Sequence, residues 1–145
     1  MAPKRSRRGL IREIDSLVSQ IVRLRHPYCI TCGRRDDLTC SHFFRRGAHS
    51  VRFDLINCNT QCRSDNSKHN DNTEPYRAWM VRTYGEEALA ALADRQAHTR
   101  PWKTPELLDL QIRFASALGA MKAGKRVMFT AGNASMVILD DSKII

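Results

Sequence analysis

The sequence is poor in acidic residues and has no long apolar run. Asp and Glu number 15 against 24 Lys and Arg, giving a formal net charge of +9 over 145 residues. The absence of an apolar run predicts no membrane-spanning helix, and the basic start MAPKRSRRG is followed by no apolar core of a secretory signal. We therefore expect a cytoplasmic, single-domain protein with a polyanionic partner, because neutralising phosphates releases bound counterions.

The cysteines do not suit a disulfide framework. They number five, an odd count, in a chain of intracellular character, which favours a metal site instead. Cys29 and Cys32 form a Cys-x-x-Cys turn of the kind that gives two thiolates to zinc, and Cys62 begins a second such turn. Asp65 stands where a cysteine should complete it.

Three interpretations of the fourth zinc ligand remain open. Asp65 preserves the spacing and offers a carboxylate oxygen, which zinc accepts. Cys58 or His69 could instead reach the ion from a neighbouring turn. Otherwise the site is weakened or empty. A structural zinc contributes on the order of 10 kcal/mol to the folding of small domains, so losing a thiolate matters.

The periodicity predicts an α+β fold. Apolar residues recur at helical spacing from Leu10 to Leu24, and Pro27 ends that helix. TCSHFF and VRFDLIN favour a two-stranded hairpin, followed by a helix from Ser64 or Asp65. Later segments predict further helices, the last with an apolar stripe formed by Leu108, Ile112, Ala115 and Leu118. We expect a flexible basic arm over 1–9, a domain over 10–125, and a β-rich tail over 126–145 that forms a hairpin, an added strand or a partner-binding segment.

A histidine and two asparagines fall in a suggestive order around the cysteines. His42 lies on the first predicted strand, Asn57 on the second, and Asn66 on the following helix. This order resembles the HNH nucleases, also called His-Me finger or ββα-metal nucleases. The wider pattern CITCG, CSHFFRRG, RFDLINCNTQCRSDN, PYR and YGEEAL, over about residues 10–122, resembles the phage NinG/Rap recombination endonucleases, which are related in motif to the junction-resolving endonuclease VII.

The resemblance implies a role for each of these residues. His42 would be the general base that takes a proton from water, and Asn57 would fix the turn and the orientation of its ring. Asn66 would offer an amide oxygen to Mg²⁺ or Mn²⁺. The zinc turns would hold a ββα centre that three to four helices surround.

One position departs from the HNH pattern. Many of these enzymes carry Asp or His directly before the base, whereas this chain has Ser41, a weak ligand. A nearby carboxylate, Asp54 first, or waters and the phosphate would then complete the shell of the catalytic ion.

Arginines close to these residues are candidates for phosphate contacts. The predicted DNA-binding side chains are Arg45, Arg46, Arg52, Arg63 and, in the arm, Lys4, Arg5, Arg7 and Arg8. Arg52 could alternatively pair with Asp54. By resemblance the substrate is branched DNA such as a Holliday junction, in the host cytoplasm. Two symmetric cuts imply a homodimer, for which the helix from Leu10 to Leu24 is one candidate surface and the chain's own core the alternative.

Two other functions compete with the endonuclease. A catalytically weak, zinc-stabilised DNA-binding module would explain both Asp65 and Ser41. An RNA-binding or assembly protein would use the basic arm alone.

Overall fold

The computed structural model describes residues 5–129 and 136–139. In chain order the elements are α1 (Arg7–Arg25), β1 (Leu38–His42), a 3-10 turn (His49–Val51), β2 (Cys58–Cys62), α2 (Arg63–Lys68), α3 (Glu74–Tyr84), α4 (Glu86–Ala97), α5 (Thr104–Lys122), β3 (Arg126–Phe129) and β4 (Met136–Leu139). The fold is therefore mixed α+β, as predicted. Within the described residues no helix is both long and apolar enough to cross a membrane.

Helix α1 begins earlier than expected and forms the centre of the main core. Ser6 caps it by accepting a hydrogen bond from the Gly9 amide, so Arg7 and Arg8 are helical rather than part of a loose arm. Its apolar stripe is buried against α5 and the β1–β2 pair. The buried residues are Leu10, Ile14, Val18, Ile21 and Val22. Intramolecular packing therefore covers this stripe, which is the alternative to a dimer surface considered above.

The second strand of the hairpin was predicted too early in the sequence. β1 pairs antiparallel with β2, but β2 is CNTQC rather than VRFDLIN. The alternating residues Val51, Phe53 and Leu55 are all buried, which explains the β-like pattern. Their backbone nevertheless turns, since the Asp54 amide donates to the Val51 carbonyl and the Cys58 amide to the Asp54 carbonyl. A β1–β2 pair followed directly by α2 is the result.

The predicted stripe of α5 was also wrong in part. Leu107, Leu110 and Phe114 turn inward, while Leu108 and Ile112 remain 43% and 65% exposed. Both sets have helical spacing, so the sequence alone did not distinguish them.

Two further units complete the described chain. Helices α3 and α4 enclose a second apolar cluster around Tyr76, Met80 and Leu92. Strands β3 and β4 pair antiparallel, which places a hairpin in the predicted tail. The Gly-Asn turn expected between them lies outside the described residues.

Candidate functional site

The two cysteine turns meet at one end of the β1–β2 pair. The ligand atoms of Cys29, Cys32, Cys62 and Asp65 all lie within 4.8 Å of one another. Cys62 ends β2 and caps α2, which places Asp65 in the first turn of that helix. Gly33 closes the first turn at φ 78, a conformation that glycine adopts easily, and donates its amide to the Cys29 carbonyl. Of the three interpretations, the geometry fits the one in which Asp65 offers the fourth ligand.

This group fits a structural zinc ion. Sγ of Cys32 and Sγ of Cys62 are 3.9 Å apart, close to the roughly 3.8 Å edge of a tetrahedron with Zn–S bonds near 2.3 Å. Without a cation the thiolate form of Cys32 is unfavourable. An amide from Arg34 lowers the pKa of Cys32, but burial and the neighbours Asp65, Cys29 and Cys62 together raise it to about 12. The four residues could hold zinc.

The other two candidates for the fourth ligand lie elsewhere. His69 is buried and its Nε2 is 2.9 Å from the Phe43 carbonyl oxygen. Cys58 begins β2, at the far end of that strand from Cys62. Neither belongs to the group of four.

His42 ends β1 with its ring largely buried and its tautomer fixed. Nε2 lies 3.0 Å from the Arg52 carbonyl oxygen, which can only accept a hydrogen bond, so Nε2 carries the proton. Nδ1 of the neutral ring then keeps its lone pair. Burial first, and then the positive charge of Arg46 and Arg52, lower the pKa of His42 to about 4. The ring is therefore neutral at physiological pH and able to accept a proton.

Asn57 precedes β2 and holds the loop between the strands. Its Oδ1 accepts from the Phe44 amide at 2.8 Å, and its Nδ2 donates to the Phe44 and Val51 carbonyls at 3.0 Å each. The Asn57 side chain is fully buried, so these bonds leave it no role at a substrate. It fixes the loop that carries the carbonyl partner of His42.

Ser41 contacts Asn66 rather than facing solvent. Its hydroxyl lies 2.6 Å from Gln61 Oε1 and 2.8 Å from Asn66 Oδ1, and the residue is fully buried. Gln61 Nε2 is 3.1 Å from Thr31 Oγ1, which in turn donates to Asp65 Oδ2 at 2.7 Å. We call the series Asp65–Thr31–Gln61–Ser41–Asn66 the polar chain. It connects the cysteine group to the candidate ligand of the catalytic ion.

The directions of these bonds orient Asn66. The Thr31 proton goes to the Asp65 carboxylate, whose pKa the Thr31 bond lowers, so Thr31 accepts from the Gln61 amide. Gln61 Oε1 then takes the single proton of Ser41. A 180° rotation of the Asn66 amide, which exchanges Oδ1 and Nδ2 with little change in shape, lets Asn66 donate to Ser41. The Asn66 oxygen is then turned away from Ser41.

Asp54 does not occupy the place proposed for it. Its side chain is 1% exposed, and Oδ2 accepts from Arg95 Nε at 2.8 Å. Oδ1 accepts from the Ile56 amide at 2.9 Å. Asp54 is therefore part of a buried ion pair, and Arg52 pairs with Asp15 at 2.6 Å rather than with Asp54.

Most of the remaining candidate residues line two adjoining cavities. The first, which we call the histidine cavity, is lined by His42 and Asn66 together with Arg45, Arg46, Asp15 and Cys40, among others. The second, the arginine cavity, lies along α1. It is lined by Arg7, Arg8, Ile11, Arg12, Asp15, Arg46 and Arg52.

The other predicted arginines lie apart from these cavities. Arg63 pairs with Asp37 and Arg5 with Glu13, and neither lines the two cavities. Lys4 lies outside the described residues. Arg12 was not singled out from the sequence, although its position one turn after Arg8 on α1 was a usable signal.

Cys40 was not singled out from the sequence. Cys40, His42 and Cys58 form a second group whose ligand atoms lie within 4.8 Å of one another. The sequence shows only part of this group, the spacing of Cys40 and His42, because residues two apart share a face of a strand.

No curated protein and no solved structure matches the chain. The family model described as bacteriophage lambda NinG protein matches residues 2–125. The match covers most of the chain and extends beyond the segment 10–122 on which the resemblance was first seen. The chain belongs to the NinG family, a membership that suggests a role connected with recombination in a phage.

Proposed function

We propose that the protein is a metal-dependent DNA endonuclease that hydrolyses phosphodiester bonds in branched DNA within the host cytoplasm. The observation that carries this proposal is that His42, Asn66 and two exposed arginines line one cavity. Membership in the NinG family supports it.

The chain's own residues account for two parts of hydrolysis, the deprotonation of water and the binding of the phosphate, and the leaving oxygen takes up its proton from solvent. His42 is neutral at physiological pH with a lone pair at Nδ1, and it accepts the proton of the attacking water. Arg45 and Arg46 bind the phosphate. Mg²⁺ or Mn²⁺ bound to the Asn66 amide oxygen would supply a charge that stabilises the phosphate and the leaving oxygen. Ser41 positions Asn66 and does not act as a ligand itself.

The arginine cavity extends the binding surface away from the proposed point of cleavage. Arg46 lines both cavities, and Arg7, Arg8 and Arg12 continue along one helix. A row of arginines at helical spacing suits a phosphate backbone that runs past the histidine cavity.

The test is cleavage of a labelled four-way junction with Mg²⁺ or Mn²⁺. His42→Ala should abolish cleavage and retain binding, while His98→Ala, at the exposed histidine that follows α4, should behave as wild type. Cleavage by His42→Ala at the wild-type rate would refute the assignment of the base.

A second comparison tests the binding surface. Arg46→Ala should weaken binding and reduce the salt dependence of binding by about one phosphate contact. Arg63→Ala is the matched control, since it removes an arginine that lines neither cavity. Equal losses for the two variants would contradict the proposed path of the DNA.

The alternative function, a zinc-stabilised DNA-binding module, is favoured by one specific observation. The carboxylate of the histidine cavity, Asp15, is paired with Arg46 and Arg52, so the cavity offers the cation few free acidic groups. Junction binding without cleavage by the wild-type protein in both metals would establish the module. Homodimer formation remains a prediction, to be checked by sedimentation with and without a junction.

A further inference from the structure

Two free cysteines stand beside the proposed general base. Cys58 directly opposes His42 in the β1–β2 ladder, and Cys40 lies two residues before His42 on the same face. One ligand atom from each of the three residues lies within 4.8 Å of the other two. Neither cysteine belongs to the group formed by Cys29, Cys32, Cys62 and Asp65.

The three residues are arranged as an open metal site. Cys58 is fully buried at the base, with Sγ 3.3 Å from the Arg52 carbonyl oxygen. Cys40 and His42 line the histidine cavity, so an ion held by all three would face that cavity on its remaining side. Two thiolates and one imidazole are a Cys₂His ligand set, which zinc uses when a fourth position is left for water.

Ligand chemistry separates this site from the one proposed at Asn66. Thiolates and imidazole favour borderline and soft ions such as Zn²⁺, whereas Mg²⁺ and Mn²⁺ prefer oxygen ligands. Both kinds of ligand meet in the same cavity. The cavity therefore has one set of ligands suited to Zn²⁺ and another suited to Mg²⁺ or Mn²⁺, and only Zn²⁺ would bind through His42.

We propose that Cys40, His42 and Cys58 form a second zinc site, and that zinc bound there inhibits the endonuclease by occupying the His42 lone pair. A neutral imidazole has one lone pair, so whichever ring nitrogen binds the ion, the ring cannot also accept a proton from water. Inhibition rests on the proposed nuclease function, while zinc binding does not.

Metal content tests the site independently of activity. The full-length protein would be equilibrated with buffered Zn²⁺, and bound zinc would be measured by elemental analysis. Wild type should bind a second equivalent beyond the one held by Cys29, Cys32, Cys62 and Asp65, and Cys40→Ser should lose that second equivalent alone. In the Co²⁺-substituted protein, the thiolate charge-transfer absorption of the second equivalent should likewise disappear in Cys40→Ser.

Cys32→Ser is the matched control, because it removes a thiolate from the other group. It should bind the first equivalent more weakly and keep the second, with circular dichroism of the zinc-loaded variant checking that it remains folded. A wild-type protein that saturates at one equivalent, or a Cys40→Ser variant with undiminished zinc and cobalt spectra, would overturn the proposed site.

Junction cleavage at fixed Mg²⁺ with rising free Zn²⁺ tests the inhibition. Wild type should lose activity over the zinc range in which the second equivalent binds, and Cys40→Ser should need at least roughly tenfold more zinc, since one of three protein ligands is gone. Equal inhibition of both proteins, or activation by zinc, would refute inhibition through His42. If the protein cleaves the junction neither with Mg²⁺ nor with Mn²⁺ at any zinc concentration, the proposed function fails, and the count of bound zinc still decides the site.

Discussion

Replacing Gln61 by methionine should affect metal binding at Asn66, although Gln61 does not face the histidine cavity. Gln61 is 2% exposed and occupies the middle of the polar chain, where Oε1 accepts from Ser41 and Nε2 donates to Thr31. Methionine has a similar length and shape but makes neither bond. Ser41 then loses its acceptor while its hydroxyl remains buried.

The size of the effect follows from these contacts. An unsatisfied buried hydroxyl costs about 1–3 kcal/mol of folding stability. Ser41 can recover part of this by donating to Asn66, 2.8 Å away, but the Asn66 oxygen must then face Ser41 instead of the cation. Loss of an orienting partner typically weakens metal binding about 10–100-fold.

Two measurements separate this reasoning from simple destabilisation. Urea unfolding of the zinc-loaded protein gives the loss of stability, and titration with Mn²⁺ monitored by electron paramagnetic resonance gives the affinity at Asn66. Thr60→Val is the matched control, because Thr60 is also buried on β2 and bonds to the Val22 carbonyl, away from the polar chain. It should lose stability and keep its Mn²⁺ affinity. A Gln61→Met protein that binds Mn²⁺ as tightly as Thr60→Val would refute the orientation assigned to Asn66.

Three other predictions concern the zinc group, the buried ion pair and pH. Asp65→Cys should bind zinc about tenfold more tightly in competition with a chelator, since thiolates suit zinc better than one carboxylate oxygen; unchanged affinity would place Asp65 outside the coordination shell. Arg95→Met should lower the free energy of unfolding in urea by about 3 kcal/mol, because it leaves the Asp54 carboxylate buried and unpaired, while the Mg²⁺ dependence of cleavage should not change. For His42, whose pKa falls from 6.5 to about 4 on folding, the unfolded chain binds the proton first as pH falls. The stability it contributes is complete above pH 6.5 and is lost towards pH 4, which lowers the free energy of unfolding by on the order of 3 kcal/mol. His42→Gln should remove this part of the pH dependence of the free energy of unfolding, measured in urea. An unchanged pH dependence would contradict the shift in pKa.

The cysteine spacing predicted more of the structure than the apolar pattern did. Cys29, Cys32 and Cys62 lie together with Asp65 because short turns with fixed spacing constrain the ligand atoms locally. The apolar pattern of VRFDLIN showed which side chains are buried but not the backbone conformation. A turn that points Val51, Phe53 and Leu55 inward has the same alternation as a strand.

Side-chain pairing between distant elements was not accessible from the sequence. Asp54 was assigned to the catalytic ion because it lies close in sequence to His42, yet its partner Arg95 comes from α4. Asp15, which pairs with Arg46 and Arg52, lies on α1, far from both in sequence. Charge counts give the sign of a surface, and only the packing of helices determines which charges remain available to a ligand.

The two departures from the expected motif pattern, Asp65 and Ser41, are connected in the structure. A cysteine in place of Asp65 would give Thr31 a weaker acceptor, and an aspartate in place of Ser41 could not donate to Gln61. Two bonds of the polar chain therefore depend on residue types that seemed, considered one at a time, to weaken a site. The double variant Asp65→Cys with Ser41→Asp tests this connection. If the two positions act through the chain, their effects on Mn²⁺ affinity should be non-additive; strictly additive effects would mean that the positions are independent.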